Sequence, residues 1–185
     1  MVESGAKGVV VAPVVKMLKR WKKENPTAEL EGLHDEDARF FGFQRVLATE
    51  YYDLETYHRL VTAAHRHVFG GSDEGARMMG MGAAQTTLGG VYQVYLIQGD
   101  PARTLSSSPR MWSTHYRGSS AKVDLNPEGA AVSILGYGSM PPVMQKINVA
   151  WLEECVRMAG AWSIRSVART EGSDFFVDMI WSLPR

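Results

Sequence analysis

The sequence lacks three features that would point directly to a class of function. It contains one cysteine, Cys155, in 185 residues, which excludes an internal disulfide and a cysteine-rich zinc site. Its 20 basic and 20 acidic residues give a formal net charge of zero, so charge gives no support to binding of nucleic acid or anionic membranes. No run of residues approaches the roughly 18 apolar residues that a membrane-spanning helix needs. We therefore expect a cytoplasmic protein that neither binds nucleic acid nor inserts into membranes.

The composition is that of an ordinary globular protein. Hydrophobic residues make up 45% of the chain and charged residues 22%. The chain is long enough to bury a sizeable core, and no repeat, low-complexity tract or linker divides it. The apolar run at residues 9–15 is interrupted by Pro13 and followed by Lys16, so it makes a poor signal peptide. We therefore expect residues 1–185 to form a single domain.

The order of elements in the C-terminal half predicts the fold class. Asp100-Pro101 suits a helix start, with an N-cap followed by proline at the first helical position. Residues 121–134 alternate in hydrophobicity around a proline- and glycine-containing turn, which predicts a hairpin. A helix over residues 143–160 and a hairpin of residues 162–181 follow. This is an α+β pattern, and we expect an antiparallel sheet of about four or five strands with helices packed on one face.

The N-terminal half predicts mostly helices. Residues 8–12 are apolar and β-branched, which favours a short buried strand before a helix that begins at Pro13. Residues 27–39 form a polar, acidic connector with room for one helical turn. Asp53 has the character of an N-cap for a helix that would end at Gly70-Gly71.

The next predicted helix begins at Ser72 and carries small residues at a regular spacing of four. Ala76, Gly80 and Ala84 lie four residues apart, so they share one helical side. Glycine costs a helix about 1 kcal/mol relative to alanine, which indicates that something packs closely there. We expect this stripe to form a seam in the core or between two copies. Residues 88–97 are expected to continue as helix to Gly99.

None of the usual patterns for catalysis or metal binding is present in a specific form. The five histidines show neither a His-Glu-x-x-His motif nor a cysteine–histidine zinc spacing. Cys155 falls on an apolar helical face, where cysteine is usually an inert hydrophobe. Residues 136–139, Gly-Tyr-Gly-Ser, loosely resemble a phosphate loop, but prolines remove two backbone donors at the following helix start. We expect no catalytic residue, no metal ligand, and a flexible connector at residues 136–139.

The densest polar and aromatic stretch, residues 110–117, is the best candidate for a ligand site. Binding pockets need apolar walls with a few polar groups. We expect Trp112 to form a wall and His115 and Tyr116 to act as polar anchors, with Tyr57 and Met78 of other helices as further walls. Trp112 and Tyr116 are four residues apart, so the competing interpretation is that they only pack a helix onto the sheet.

Several segments resemble a myxobacterial paralogous family of uncharacterised proteins of about this length. They are the run Tyr52-Asp53-Leu54-Glu55-Thr56-Tyr57-His58-Arg59-Leu60, the small-residue segment 80–90, Asp100-Pro101 and Pro109-Arg110-Met111-Trp112, and the resemblance spans about residues 7–181. That family is distantly similar to vinyl-4-reductase-type sensor domains. Those share the fold of transport-particle (TRAPP) subunits and of the ligand-binding domain in nitric-oxide signalling and Golgi transport. The resemblance implies a sheet covered by helices, often dimeric, with a buried apolar pocket.

The sequence departs from two traits of these relatives. Some vinyl-4-reductase-type domains bind zinc through several cysteines, and this chain has only Cys155. Haem nitric-oxide-binding domains have a segment like residues 53–64, but their haem histidine and Tyr-x-Ser-x-Arg porphyrin clamp have no clear match. Tyr116-Arg117-Gly118-Ser119 departs from that clamp. The cofactor therefore stays unknown, with His115 as a remote candidate for a haem ligand.

We expect a non-enzymatic sensory or signalling domain that binds a small apolar ligand or a partner protein, as a homodimer. The expected ligand-binding residues are Tyr57, Met78, Trp112, His115 and Tyr116. Two alternatives stay open. One is a haem- or reductase-type enzyme, which depends on distant likeness of fold alone. The other is a pure protein-interaction scaffold without a ligand.

Overall fold

The computed structural model describes residues 4–42 and 45–184 and has the α+β fold expected from the sequence. The α-helices are α1 Gly8–Glu24, α2 Leu54–Val68, α3 Asp73–Leu88, α4 Pro101–Ser106, α5 Ser108–His115 and α6 Pro142–Met158. The strands are β1 Gly5–Lys7, β2 Tyr51–Asp53, β3 Tyr116–Arg117, β4 Ser120–Asn126, β5 Gly129–Leu135, β6 Trp162–Glu171 and β7 Asp174–Ser182. Two short 3-10 helices span Asp35–Phe40 and Gln93–Tyr95.

The main sheet is antiparallel and has four strands in the order β4–β5–β7–β6. Both predicted hairpins form it, with Asn126 paired to Gly129 across the first turn and Glu171 paired to Asp174 across the second. Side chains alternate between the two faces of a strand, so β7 buries Phe175, Val177 and Met179 on the face that joins the helices in one core. The predicted sheet and its position against the helices are therefore confirmed.

A second sheet of three very short strands, in the order β2–β1–β3, is not predicted by the sequence. Its strands have two or three residues each, too few for hydrophobic alternation to be visible. Ala6 pairs with Tyr52 on one side and with Tyr116 on the other. This sheet therefore joins the start of the chain to the residue that follows α5.

The predicted strand at residues 8–12 is wrong, because these residues form the first turns of α1. Val11, Val14, Val15 and Leu18 are buried at helical spacing, and α1 packs against α2. The β-branched residues favour a strand locally, but burial of this stripe outweighs that preference.

Helix α2 begins as predicted and is fixed by a buried ion pair. Asp53 caps it by accepting a hydrogen bond from the backbone N–H of Thr56 at 2.9 Å. Arg59 donates two hydrogen bonds to the fully buried Asp37, at 2.8 and 2.9 Å. Burial alone would raise the pKa of Asp37, but the hydrogen bonds from Arg59 and from the backbone N–H of His34 outweigh it and lower that pKa. The helical turn of the acidic connector is thereby held against α2.

Helix α3 ends at Leu88, so the predicted helix over residues 88–97 is wrong. Gly89 and Gly90 follow, and the chain turns into the short 3-10 helix Gln93–Tyr95. This segment stacks Tyr92 on Tyr95, with ring centroids 6.0 Å apart, and brings Tyr92 against α5.

The small-residue stripe packs α3 against α6 within the chain. A Cβ at Gly80 would lie 2.4 Å from the carbonyl oxygen of Ile147 and 2.7 Å from Cβ of Ala150, so no side chain fits there. Ala76 and Ala84 of the same stripe are fully buried. The expectation of a seam in the core is confirmed. We call this contact the α3–α6 seam.

Candidate functional site

Six aromatic rings from three separate parts of the chain meet where α2, α5 and the loop between β5 and α6 come together. We call this group the aromatic cluster, and its members are Tyr57 and His58 of α2, Trp112 and His115 of α5, Tyr116 of β3, and Tyr137 of the loop between β5 and α6.

The centre of the aromatic cluster consists of three rings in mutual contact. Trp112 and Tyr116 stack with their centroids 4.2 Å apart. Tyr137 lies 5.3 Å from Trp112 and 5.6 Å from Tyr116, the latter edge to face. Such offset and edge-on geometries are the favourable ones for aromatic pairs. Contact between α5, β3 and the β5–α6 loop therefore depends on these three side chains.

The other three rings extend this centre in different directions. Tyr57 lies 6.3 Å from Tyr116, and His58 lies 5.4 Å from Tyr137. His115 meets Tyr116 edge-on at 6.5 Å and Tyr92 edge-on at 5.3 Å. The aromatic cluster is thus continuous from α2 to the segment that follows α3.

The loop between β5 and α6 is built to turn Tyr137 inward. Gly136 and Gly138 have φ angles of 68° and 82°, a backbone region that favours glycine, and they flank a tyrosine that is only 2% exposed. The N–H of Gly136 donates to a carboxylate oxygen of Asp174 at 2.8 Å, which ties the loop to the β6–β7 turn. The connector therefore has a buried anchor, Tyr137, and a hydrogen bond to the β6–β7 turn.

His58 has the most unusual hydrogen bonding in the aromatic cluster. Its side chain is 4% exposed, and Nε2 lies 3.2 Å from the hydroxyl oxygen of Tyr137. The other ring nitrogen, Nδ1, is buried and has no hydrogen-bond partner among residues 4–42 and 45–184. By contrast, Nε1 of Trp112 donates to the hydroxyl of Ser119 at 3.0 Å. Buried polar groups are nearly always paired, so the free nitrogen of His58 requires an explanation.

The aromatic cluster is uncharged at neutral pH because burial penalises every charged form. Burial raises the pKa of Tyr57, and it raises the pKa values of Tyr116 and Tyr137 further. Burial also lowers the pKa of His58, although Glu55 and Asp53 act in the opposite direction. Burial, assisted by Lys7, lowers the pKa of His115 to about 4. The rings therefore present hydroxyls and neutral imidazoles to any molecule between them.

Four of the five residues expected at the ligand site come together here: Tyr57, Trp112, His115 and Tyr116. Met78 does not join them, because it lies on α3 with 55% of its side chain exposed. The inward side of α3 is taken by Gly80 and its stripe, which leaves Met78 on the solvent side. The structure gives no support to Met78 as a pocket wall.

Sequence reasoning missed His58 and Tyr137. The spacing of the histidines argues against a shared metal ion, but it does not place His58 beside Tyr137, because that contact joins residues 79 positions apart. The signal for Tyr137 was present, since a large aromatic residue between two glycines after a buried strand has to pack somewhere.

A surface cavity lies beside the same loop, and no member of the aromatic cluster lines it. Its volume is about 170 Å³, and its walls come from the β5–α6 loop, the start of α6 and the β6–β7 turn, including Ser139, Met140, Gln145, Ser173 and Asp174. Sites for drug-sized ligands usually have about 300–1,000 Å³. This cavity is therefore too small for most organic ligands.

Two kinds of feature are not found in the part of the chain that the structure describes. Residues 4–42 and 45–184 contain no group of three or more histidine, cysteine or acidic side chains placed to hold a metal ion. Within the same ranges, no helix combines the length and the apolar character that crossing a bilayer requires.

Solved structures of H-NOX domains share this fold. An oxygen-binding H-NOX domain related to soluble guanylate cyclases, solved as its oxygen complex, is 12% identical and has a TM-score of 0.63, with 96% of each chain covered. A Fe(II) unliganded H-NOX mutant from K. algicida is 10% identical with a TM-score of 0.63, covering 95% of this chain and 96% of its own. A protein whose structure addresses the modulation of haem redox potential by porphyrin distortion is 13% identical with a TM-score of 0.60, covering 94% of this chain and 99% of its own.

These comparisons give the fold as H-NOX-like, and the expected likeness to transport-particle subunits and vinyl-4-reductase-type domains is not confirmed. No curated protein matches the sequence. The model of a family described as "Protein of unknown function (DUF2378)" matches residues 37–182, which is most of the chain, and this agrees with the resemblance to an uncharacterised family. The chain belongs to the DUF2378 family.

Proposed function

We propose that this protein is a non-enzymatic sensory domain that binds a small molecule at the aromatic cluster. The observation that carries the proposal is the unpartnered Nδ1 of His58, which is buried among rings that hold several chain segments together. A molecule bound there would touch α2, α5 and the β5–α6 loop at once. Its presence would therefore change contacts across both the helical part and the sheet.

The H-NOX-like fold supports a sensory role by analogy. The similar solved structures carry names that mention oxygen, Fe(II) and haem. Likeness of fold alone does not transfer a ligand, since one fold hosts many functions. The site itself supplies the stronger support, because its neutral polar groups and aromatic walls are what a small uncharged ligand needs.

A porphyrin does not fit the residues as they are packed. Trp112 and Tyr116 are in stacking contact, and Tyr137 closes against both rings, so a flat macrocycle would have to expel them. His115 is the candidate ligand for haem iron, but its ring is held edge-on between Tyr92 and Tyr116. The haem alternative therefore ranks below a smaller ligand. An absorption spectrum after purification with added haem tests it, and we expect no Soret band.

The expected homodimer and protein partner remain predictions. The small residues that could have joined two copies are used within the chain, in the α3–α6 seam. Other apolar side chains are exposed, above all Val91 at 89% and Val94 at 74%, in the turn after α3. Adjacent exposed apolar side chains favour contact with another protein. Sedimentation velocity of the wild type and of a Val91→Ser, Val94→Ser variant measures whether this turn joins two copies.

Native mass spectrometry of the purified protein tests the proposed function. We expect the folded wild type to carry the extra mass of a small molecule. Trp112→Ala opens the centre of the aromatic cluster and should lose that mass, whereas Trp162→Ala should keep it, because Trp162 is 65% exposed and lies outside the cluster. A wild type without extra mass, or equal retention by both variants, would contradict the proposal.

A further inference from the structure

We propose that strand β6, the free edge of the main sheet, pairs with the same strand of a second copy of this chain. The two sheets join across a twofold axis that passes beside Ala168. This inference goes beyond the proposed function and does not depend on a ligand at the aromatic cluster. It gives the expected homodimer a surface at the edge of the sheet opposite to β4.

The two edges of the main sheet differ in how they are covered. Helices α4 and α5 pack against β4 at one edge. At the other edge β6 packs against β7 and α6, and no strand within residues 4–42 and 45–184 pairs with its outer side. Residues 167–171 are all exposed, including Val167 at 70%. An uncovered edge presents unpaired backbone N–H and C=O groups, which favour pairing with another strand.

The hydrogen bonding of the sheet indicates which backbone groups of β6 point to the free edge. The N–H of Trp181 in β7 donates to the carbonyl oxygen of Glu128 at 3.1 Å, so the backbone groups of this residue point away from β6. Successive residues of a central strand bond alternately to its two neighbours, so the even-numbered residues of β7 bond to β6. Their partners are the odd-numbered residues of β6 from 165 to 171. Ser166, Ala168 and Thr170 therefore direct their N–H and C=O groups outward.

A twofold axis beside Ala168 places these three residues opposite one another in an antiparallel ladder. Ala168 then lies opposite its own copy, and Ser166 lies opposite Thr170 of the second copy on both sides of the axis. Each of these positions is a hydrogen-bonded pair, in which two residues exchange both of their N–H···O bonds. All outward backbone groups of the three residues thereby find partners.

Charge complementarity favours a second copy as the partner strand. Arg165 and Glu171 lie on the face of β6 that turns away from the helices. The axis beside Ala168 places each of them opposite the other in the second copy, at closely spaced positions where opposite charges stabilise the pairing. Arg165 makes no ion pair with any residue that the structure describes. Glu171 contacts Arg169 of its own strand through Oε1 at 3.1 Å, which leaves Oε2 for the second copy.

Neighbouring registers bring like charges together. An axis beside Val167 places Arg165 opposite Arg169 of the second copy, and an axis beside Arg169 places that arginine opposite its own copy. A shift further toward the start of β6 meets the irregular pairing between residues 162 and 165, where Ser163 has a φ angle of 45°. Irregularities of this kind interrupt pairing at a sheet edge. The strand therefore favours one register with its own copy.

Sedimentation velocity and amide hydrogen exchange of the full chain test the inference together. The wild type should dimerise as its concentration rises, and the amides of Ser166, Ala168 and Thr170 should become protected as it does. The amides of Val167 and Arg169 already bond to β7 and should not change. Dimerisation without added protection of the first three amides would overturn the inference. A wild type that stays monomeric at millimolar concentration would also overturn it and leave the edge to a strand of a different protein.

Charge reversals test the register without changing the backbone. Arg165→Glu places like charges opposite each other twice in a pair of identical copies, and Glu171→Arg does the same with the opposite sign. Each variant should weaken dimerisation about tenfold. An equimolar mixture of the two variants has opposite charges at both positions again and should dimerise about as tightly as the wild type. Unchanged dimerisation of the single variants, or no recovery in the mixture, would overturn the inference.

Two controls separate β6 from other surfaces. Arg103→Glu makes the same change of charge at an exposed residue of α4 and should leave dimerisation unchanged. The Val91→Ser, Val94→Ser variant removes the exposed apolar side chains after α3 and should also leave it unchanged. Dimerisation that is lost in this variant and retained in Arg165→Glu would overturn the inference in favour of the turn. Ligand retention, measured by native mass spectrometry of the same preparations, reports separately on the proposed function.

Discussion

The α3–α6 seam and the aromatic cluster are two internal contacts that are filled in opposite ways. The seam brings two backbones together by removing side chains, as at Gly80, and its buried Glu154 has partners for both oxygens, Gln85 and Arg157. The aromatic cluster joins its segments with large rings and leaves Nδ1 of His58 unpaired. The buried carboxylate of the seam has its hydrogen-bond partners, whereas the aromatic cluster contains a buried ring nitrogen that could still accept or donate a hydrogen bond.

The difference indicates which contact serves stability and which serves function. A seam whose backbones touch has no space for a ligand and no unsatisfied group that would recognise one. The aromatic cluster is held by contacts between side chains and not by close approach of two backbones, and the polar atoms among its rings can direct a ligand. Substitutions should therefore affect stability most at the seam and ligand binding most at the aromatic cluster.

The largest expected effect is on stability at the seam. Gly80→Ala places a Cβ within 2.4 Å of a backbone oxygen of α6 and should lower the free energy of unfolding by about 2–3 kcal/mol. Gly82→Ala on the same helix meets nothing within 4 Å and should raise it by up to about 1 kcal/mol. Urea unfolding of the two variants measures the contrast. Equal effects would mean that the helices do not approach as closely as described.

A smaller effect is expected from acidification, and it belongs to the aromatic cluster. The pKa of His115 is about 4 in the folded protein, against about 6.5 in an unfolded chain. Between these values the unfolded state binds a proton that the folded state does not, so the free energy of unfolding falls as the pH falls through this window. We expect a loss of about 2 kcal/mol between about pH 7 and about pH 4.5, discounted for partial exposure of the ring.

Equilibrium unfolding at a series of pH values measures this loss in the wild type and in His115→Gln. The variant lacks the titrating ring and should lose less stability on acidification, with His58 contributing the part that remains. A pH dependence identical to that of the wild type would place the acid-sensitive group elsewhere.

A loss of about 1 kcal/mol is expected for Tyr137→Phe. This change keeps the ring contacts with Trp112 and Tyr116 but removes the hydroxyl that pairs with Nε2 of His58, which leaves a second ring nitrogen unmet. Tyr92→Phe, at a half-buried ring on the edge of the cluster, should change stability by less than about 0.5 kcal/mol. Thermal unfolding of both variants gives the comparison, and a neutral Tyr137→Phe would show that the hydrogen bond between Tyr137 and His58 does not stabilise the fold.

The smallest effect is expected at Met78. Because this side chain is 55% exposed on α3, Met78→Gln should change stability by less than about 0.5 kcal/mol and leave ligand retention unchanged in native mass spectra. Loss of the ligand in this variant would show that the sequence-based assignment of Met78 to the pocket was right and that the site extends to α3.

Sequence patterns predicted the elements whose signals are local. Asp53, Ser72 and Asp100 cap helices as expected, because a cap depends on a side chain and on backbone groups two or three residues away. Both hairpins of the main sheet followed from alternation and turn residues. The strand at residues 8–12 failed because burial against α2 decides that segment, and burial is not a local property.

The candidate site was predicted only in part, because some of its contacts are local in the sequence and others are not. Trp112, His115 and Tyr116 lie close together in the sequence, so their density was visible. Tyr137 reaches them from another part of the chain through a loop whose geometry depends on Asp174, 38 positions away. No pattern within the loop specifies that contact.

A crystal structure of the protein purified without denaturation tests the central claim most directly. We predict electron density for a small molecule in contact with the aromatic cluster, with a polar atom within hydrogen-bonding distance of His58 Nδ1. Closed packing of Trp112, Tyr116 and Tyr137 with no density beyond a single water at that nitrogen would contradict it.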